Sequence, residues 1–225
     1  MVLQRSVENK RVNIESGWLE GVRRIPSPNV NERPPGSVVD LLVVHNISLP
    51  PGEFGSAYVE QLFTNCLDCT LHPWFERLRG LTVSAHLLID RLGRMTQFVP
   101  FHLRAWHAGA SCFEGRENCN DFSIGIALEG ADDIPYTSAQ YAGLARVSLA
   151  LMREYPAISV RRIVGHADIA PGRKSDPGAA FDWDLYRCTG FDRGLLHGRC
   201  RCWRLWRSPT PPSGARATKS VSGKS

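Results

Sequence analysis

No apolar run in the chain approaches the roughly 20 residues that span a bilayer, which sets aside a membrane-spanning helix and a membrane partner. The opening stretch, MVLQRSVENKRVNIESG, carries charge with no apolar core behind it. It does not read as a secretory signal, so the expected compartment is the cytoplasm. No internal repeat is visible, which sets aside solenoids and propellers. Cys66-Leu-Asp-Cys69 lacks a second pair at finger spacing, since Cys112 and Cys119 do not supply one. The seven cysteines are odd in number, so reduced, incidental thiols are expected. What the C-terminal end lacks is acid. From Arg187 onward nine Arg/Lys meet a single acid, Asp192, so that end carries +8 and residues 1–186 carry −3. The body therefore offers no basic patch for nucleic acid, and no nucleic-acid partner is expected. The tail ends in RSPTPPSGARATKSVSGKS, poor in apolar residues and rich in Pro, Ser and Gly, and is expected to be a disordered, solvated extension.

What is present suits one globular domain with tails, large enough to bury a core without disulfides. Residues 1–16 read as a loose leader, and GWLEGVRRIPSPNVNERPPG as irregular. Val38-Val39-Asp40-Leu41-Leu42-Val43-Val44 is nearly continuous in hydrophobicity, as a strand buried on both faces would be, and stops at His45-Asn46. SAYVEQLFTN reads as a short helix opened by Ser56. LTVSAHLLI and RMTQFVP flank Asp90-Arg-Leu-Gly93 and read as a hairpin. DFSIGIALEG is a further strand. Its Phe122, Ile124, Ile126 and Leu128 point to the core, while Ser123, Gly125, Ala127 and Glu129 share a nearly bare opposite face with room for a substrate. YTSAQYAGLARVSLALMREYP predicts a helix. Thr137 and Gln140 form a capping box. Tyr141, Leu144, Val147/Ser148, Leu151 and Met152 recur at helical spacing, and Pro156 ends the pattern. RRIVGH is a short extended segment. Strands and helices mingle, so a mixed β-sheet with helices packed on it is expected.

GHADIAPGRKSDPG, residues 165–178, reads as neither helix nor strand, yet gathers His166, Asp168, Arg173, Lys174 and Asp176. His45 and His166 both lie at the ends of apolar, extended runs. Either histidine alone suits a satisfied core or surface position. The two together with Asp176 would supply the three N/O ligands that zinc takes in hydrolases. Spacing alone does not decide between these readings.

The segments LLVVHNISLPPGEFG, VSAHLLIDRLGRMTQFVPF, RAWHAG, GRENCNDFSIGI and GHADIAPGRKSDPGAAFDW resemble, densely and in order from about Gly17 to Tyr186, the 1,6-anhydro-N-acetylmuramyl-L-alanine amidase family. These amidases group with phage amidases and peptidoglycan recognition proteins. The resemblance implies a zinc amidase domain over residues 17–188, built on a central mixed β-sheet flanked by helices, with a groove over one sheet face. A basic tail over 189–225 is left outside it. It implies zinc on His45, His166 and Asp176, and Lys174 as the cation that stabilises the oxyanion. It also implies an anhydro-muropeptide substrate cut between the lactyl group and L-alanine in cell-wall recycling; a monomer is the default expectation for the oligomeric state. Asn46, Trp106 and His107 are the expected substrate contacts, with core packing and support of a ligand open for the last two. His86 is expected behind the site, and Asn120 and Asp121 to fix a turn.

Three places depart from the family pattern. Where relatives read G-I-E-L-E-G, this chain has Ala127 in place of the first glutamate, the family's acid/base. Glu129, on the same strand face, is the candidate to act in its stead through a water. Thr82 stands where relatives often carry arginine. Cys200-Arg-Cys202, with Trp203 and Trp206, matches nothing in the family. A zinc-bearing muropeptide binder with impaired catalysis is therefore the alternative to an active amidase.

Overall fold

The computed structural model describes residues 12–191. The expectations for residues 1–11 and 192–225, including the basic tail and Cys200-Arg-Cys202, lie outside the described residues.

Six strands make the central sheet: β1 (Arg23–Arg24), β2 (Leu41–Ile47), β3 (Leu87–Ile89), β4 (Met95–Gln97), β5 (Ser123–Glu129) and β6 (Ile163–Gly165). They lie in the order β6-β2-β5-β3-β4-β1. Only the β3–β4 hairpin is antiparallel; every other neighbouring pair is parallel. The helices are α1 (Tyr58–Phe63), α2 (Ser138–Glu154), the single turn α3 (His166–Ile169) and α4 (Trp183–Phe191). The fold is thus the expected mixed sheet with helices. None of the helices among the described residues is long and apolar enough to cross a membrane.

Alternation along β2 and β5 divides the interior in two. Leu42, Val44, Ile124, Ile126 and Leu128 point to one side and pack with Tyr141, Leu144, Val147 and Leu151 of α2 and Tyr186 of α4. The expected capping box is present: the Thr137 hydroxyl accepts from Gln140 N–H at 3.2 Å, and the Gln140 side chain accepts from Thr137 N–H at 3.1 Å. This side is a closed core. On the other side of the sheet, Ala127 joins Leu88, Phe98, Leu62, Phe63 and Phe75 in a second cluster, beside which the sheet stays open. That open side carries the site.

Several segments differ from their sequence reading. Ile14–Glu15 pairs with Trp18–Leu19, and Val12 and Ile14 pack against the core, so the last residues of the supposed leader are held in place. Arg23–Arg24, inside the stretch read as irregular, pairs with Thr96–Gln97 as the sheet's edge. Ser56 does not cap α1, whose N-cap is Ala57, without a side-chain bond. α4 runs past Cys188 to Phe191, with Gly190 packed closely on Ala145 of α2. The face of β5 carrying Gly125 is not bare: a Cβ on Gly125 would stand 2.4 Å from Cγ of His107, whose ring fills that space.

Candidate metal centre and groove

β2 and β6 are parallel neighbours, so their C-terminal ends emerge side by side. His45 projects from β2 onto the open side, and His166 follows β6 directly as the first residue of α3. The loop after α3 then doubles back. Ala167 N–H donates to the Asp176 carbonyl at 2.9 Å, and Gly165 permits the return, since a Cβ there would lie 2.7 Å from Cδ of Pro177. The stretch read as irregular therefore contains one helical turn, closed by Gly165 N–H donating to Asp168 Oδ2 at 2.7 Å. Asp168 is spent on that turn and does not join the site.

This path brings three ligand atoms together. Nδ1 of His45 lies 3.0 Å from Nδ1 of His166, and each lies 3.1 Å from Oδ2 of Asp176. All three residues are buried or nearly so. Around a tetrahedral ion with bonds of about 2.0–2.1 Å, ligand atoms stand about 3.3 Å apart, close to these spacings. It is the single cluster of three such side chains within metal-binding reach among the described residues. The donor chemistry also fits a cation. Nε2 of His166 lies 3.0 Å from the Ala108 carbonyl, which can only accept, and 3.4 Å from Arg173 Nη2; donation to the nearer carbonyl leaves the Nδ1 lone pair facing Asp176. In that tautomer two acceptors face each other, an arrangement that suits a cation between them. Burial pushes the His45 imidazole below its usual pKa, which favours the neutral ring that metal ligation needs.

The cluster sits in an open groove of about 790 Å3. Trp74, Leu78, Leu81 and Trp106 give it an apolar wall, and Lys174, Thr82 and Asp132 line it as well. Lys174 is solvent-exposed, two residues ahead of Asp176. Trp106 presents its ring to the groove while its indole N–H donates to Asn31 Oδ1 at 2.7 Å. The Asn46 amide nitrogen is taken up by Asp132 Oδ1 at 2.7 Å and the Pro177 carbonyl at 3.1 Å, which ties the strand end to both flanking loops. His107 contacts His45 directly, Nδ1 to Nε2 at 2.9 Å. Ala127 lies on the groove wall in register with His45, so the two share a face.

Glu129 requires a correction. It shares the strand face of Ala127 but is not on the groove wall. It is 6% exposed, and its carboxylate accepts from the backbone N–H groups of Gly55 and Arg91. Its two oxygens are taken up by the two loops that carry Gly55 and Arg91.

Other residues escaped the sequence reading. Arg33, from the Pro-rich segment, is partly buried and donates to the carbonyls of Phe101, His102, Asn120, Asp121 and Ser123. Arg173 donates to the carbonyls of Ala108 and Ala110, tying the metal loop to the segment behind His166. No local pattern announces either. The bare position at Gly125 was visible as a strand glycine, a known sign of close approach.

His86 lies behind the groove, fully buried. Its Nδ1 accepts from Gly125 N–H at 3.0 Å, and its Nε2 donates to the Leu103 carbonyl at 3.1 Å. Burial, helped by the Arg33 charge, lowers its pKa to about 3. The folded form keeps the ring neutral, while an unfolded chain protonates it below about 6.5. Its contribution is therefore complete above pH 6.5 and is lost as pH falls towards 3. Metal-free protein is expected to lose about 2 kcal/mol from this residue between pH 7 and pH 5. Urea unfolding of wild type and His86→Asn at both pH values checks this; the variant should show a correspondingly shallower loss.

Comparison with known proteins follows the same lines. The family described as N-acetylmuramoyl-L-alanine amidase matches residues 35–179. The 1,6-anhydro-N-acetylmuramyl-L-alanine amidase AmpD of Escherichia coli is 56% identical over 174 residues, covering 77% of this chain and 94% of that protein. A crystal structure of AmpD superposes with a TM-score of 0.76 at 54% identity, covering 78% of this chain and 98% of that one. The E. coli amidase AmiD, solved with the substrate anhydro-N-acetylmuramic acid-L-Ala-D-γ-Glu-L-Lys, superposes with a TM-score of 0.50 at 26% identity, covering 80% of this chain and 66% of that one.

Proposed function

The chain belongs to the N-acetylmuramoyl-L-alanine amidase family, and from that membership we propose that it is a zinc-dependent, cytoplasmic amidase of cell-wall recycling. Its reaction is hydrolysis of the amide between the lactyl group of 1,6-anhydro-N-acetylmuramic acid and L-alanine in muropeptides. The observation that carries this reading is the triangle of His45, His166 and Asp176, with edges of 3.0–3.1 Å, beside Lys174 in an open groove.

The two imidazoles and one carboxylate are a ligand set that leaves a fourth position of a tetrahedral zinc site open. Bound zinc would supply Lewis-acid polarisation of the scissile carbonyl and a water acidified to a pKa of about 7. The chain's own residues do the rest. Lys174 places a positive charge where negative charge develops on the carbonyl oxygen. Trp106 offers a flat apolar wall against which sugar or peptide packs. Asn46 holds the two loops that frame the cut bond, its amide being engaged with Asp132 and Pro177.

Proton transfer is where this chain is weak. Ala127 cannot carry a proton, and Glu129 is held by two backbone N–H groups away from the groove. Glu129 thus acts as a clamp between the Gly55 and Arg91 loops. Glu129→Gln is expected to cost about 1.5–3 kcal/mol of stability, from hydrogen bonds to a buried charge, and to leave kcat unchanged. Thermal unfolding and steady-state turnover separate the two effects; a collapse of kcat with stability intact would restore Glu129 to the chemistry.

A second reading, a zinc-containing muropeptide binder with impaired catalysis, is favoured by Ala127 alone. Release of free peptide amine from anhydromuramyl-tripeptide by zinc-loaded protein decides. Release supports the amidase, and tight binding with no release supports the binder.

A further inference from the structure

The hydrogen bonds behind the metal cluster run in one direction. The Ser123 hydroxyl donates to the Cys119 carbonyl, which can only accept. Ser123 Oγ then has only lone pairs to offer Nε2 of His107, 3.3 Å away, so that nitrogen carries the proton. In a neutral ring, Nδ1 of His107 is therefore an acceptor, and it takes Nε2–H of His45 at 2.9 Å. This leaves the Nδ1 lone pair of His45 facing His166 and Asp176. On the other ligand, the Ala108 carbonyl takes Nε2–H of His166 at 3.0 Å, with the same result.

Two adjacent residues thus hold the outward N–H of both histidines, one through its side chain and one through its backbone. Their own position is fixed. Oδ1 of Asn120 accepts from His107 N–H at 3.1 Å and from Ala108 N–H at 2.8 Å. Gly125 leaves the space that the His107 ring fills, since a Cβ there would clash with it at 2.4 Å.

We propose that His107–Ala108, pinned by Asn120 and oriented through Ser123, is a positioning unit that sets the tautomer of both histidines so that both Nδ1 lone pairs converge. His107 then acts through His45, both of its ring nitrogens being engaged. The proposal rests on the reading of His45 and His166 as zinc ligands. A ligand histidine whose second nitrogen loses its partner must pay to select the right tautomer, and such losses typically weaken metal binding 10- to 100-fold.

The test uses the full chain with two readouts: zinc affinity by competition with a chromophoric chelator, and long-range 1H–15N spectra of the histidine rings in metal-free protein at pH 7.5. Wild type should show His45 protonated at Nε2 alone. His107→Phe keeps a ring over Gly125 but offers no acceptor. It should bind zinc about 10- to 100-fold more weakly and show His45 as a tautomer mixture. His107→Asn can present its amide oxygen where Nδ1 stood, and should recover most of that loss. Should His107→Phe fail to fold, Ser123→Ala serves, because it frees His107 to take either tautomer. Unchanged affinity and an unchanged His45 spectrum in a folded variant would overturn the proposal. If wild type binds no zinc, the reading of the ligands is what fails, and the spectra still judge the tautomer chain by themselves.

Discussion

Ala127→Glu is expected to cleave anhydromuramyl-tripeptide about 10²- to 10⁴-fold faster than the natural chain, the range that general acid–base help supplies. Ala127 stands in register with His45 on the neighbouring strand, lines the groove and is 2% exposed. A longer side chain there leaves the sheet on the same face as His45 and reaches the space beside the ligand cluster. No other carboxylate replaces it from the same strand, because Glu129 is bound to Gly55 and Arg91. The measurement is release of peptide amine from equal amounts of zinc-loaded protein. Zinc content and unfolding midpoint are recorded for both, so that a change in folding is not read as chemistry. Equal rates would mean that solvent moves the proton in this groove and that the glutamate is dispensable here.

Lys174→Met, made in the Ala127→Glu background where turnover is easily read, is expected to lower kcat about 10²- to 10³-fold, the usual loss of one preorganised oxyanion partner. Lys174 lines the groove and is exposed, so its removal leaves no buried hole and stability should hold. The charge it meets appears only as the carbonyl is attacked, so KM should move little while kcat and kcat/KM fall together. A rise in KM at constant kcat would assign Lys174 to ground-state binding of a substrate carboxylate. That role would gain weight from Thr82, which lines the same groove without a charge.

Much of this molecule is legible in its sequence where the pattern is local. The hairpin at Asp90–Gly93 and the capping box of α2 each need only neighbouring residues and are found where the pattern places them, while β2, read from Val38 to Val44, runs from Leu41 through His45 and Asn46 to Ile47. The pairing of His45 and His166 is less local, yet both sit at the ends of apolar runs. Parallel adjacency of β2 and β6 brings such ends together. What was hidden depends on contacts distant in sequence. Strand alternation puts Glu129 on the Ala127 face correctly, but its side chain answers to Gly55 and Arg91, 74 and 38 residues away. Arg33 reads as one arginine among several in a Pro-rich stretch. Its five carbonyl partners lie 68 to 90 residues further on. The turn of α3 was masked by the glycines and prolines around it, and is closed by Asp168 and by the returning Asp176 backbone.

The most direct measurement of the central claim is amine release from anhydromuramyl-tripeptide by natural protein stripped with a chelator, then assayed before and after one equivalent of zinc. A metal-dependent amidase built on His45, His166 and Asp176 gives no release before zinc and slow, stoichiometrically restored release after it. Release at the same rate with and without metal, or none after zinc from either the natural chain or Ala127→Glu, would contradict it.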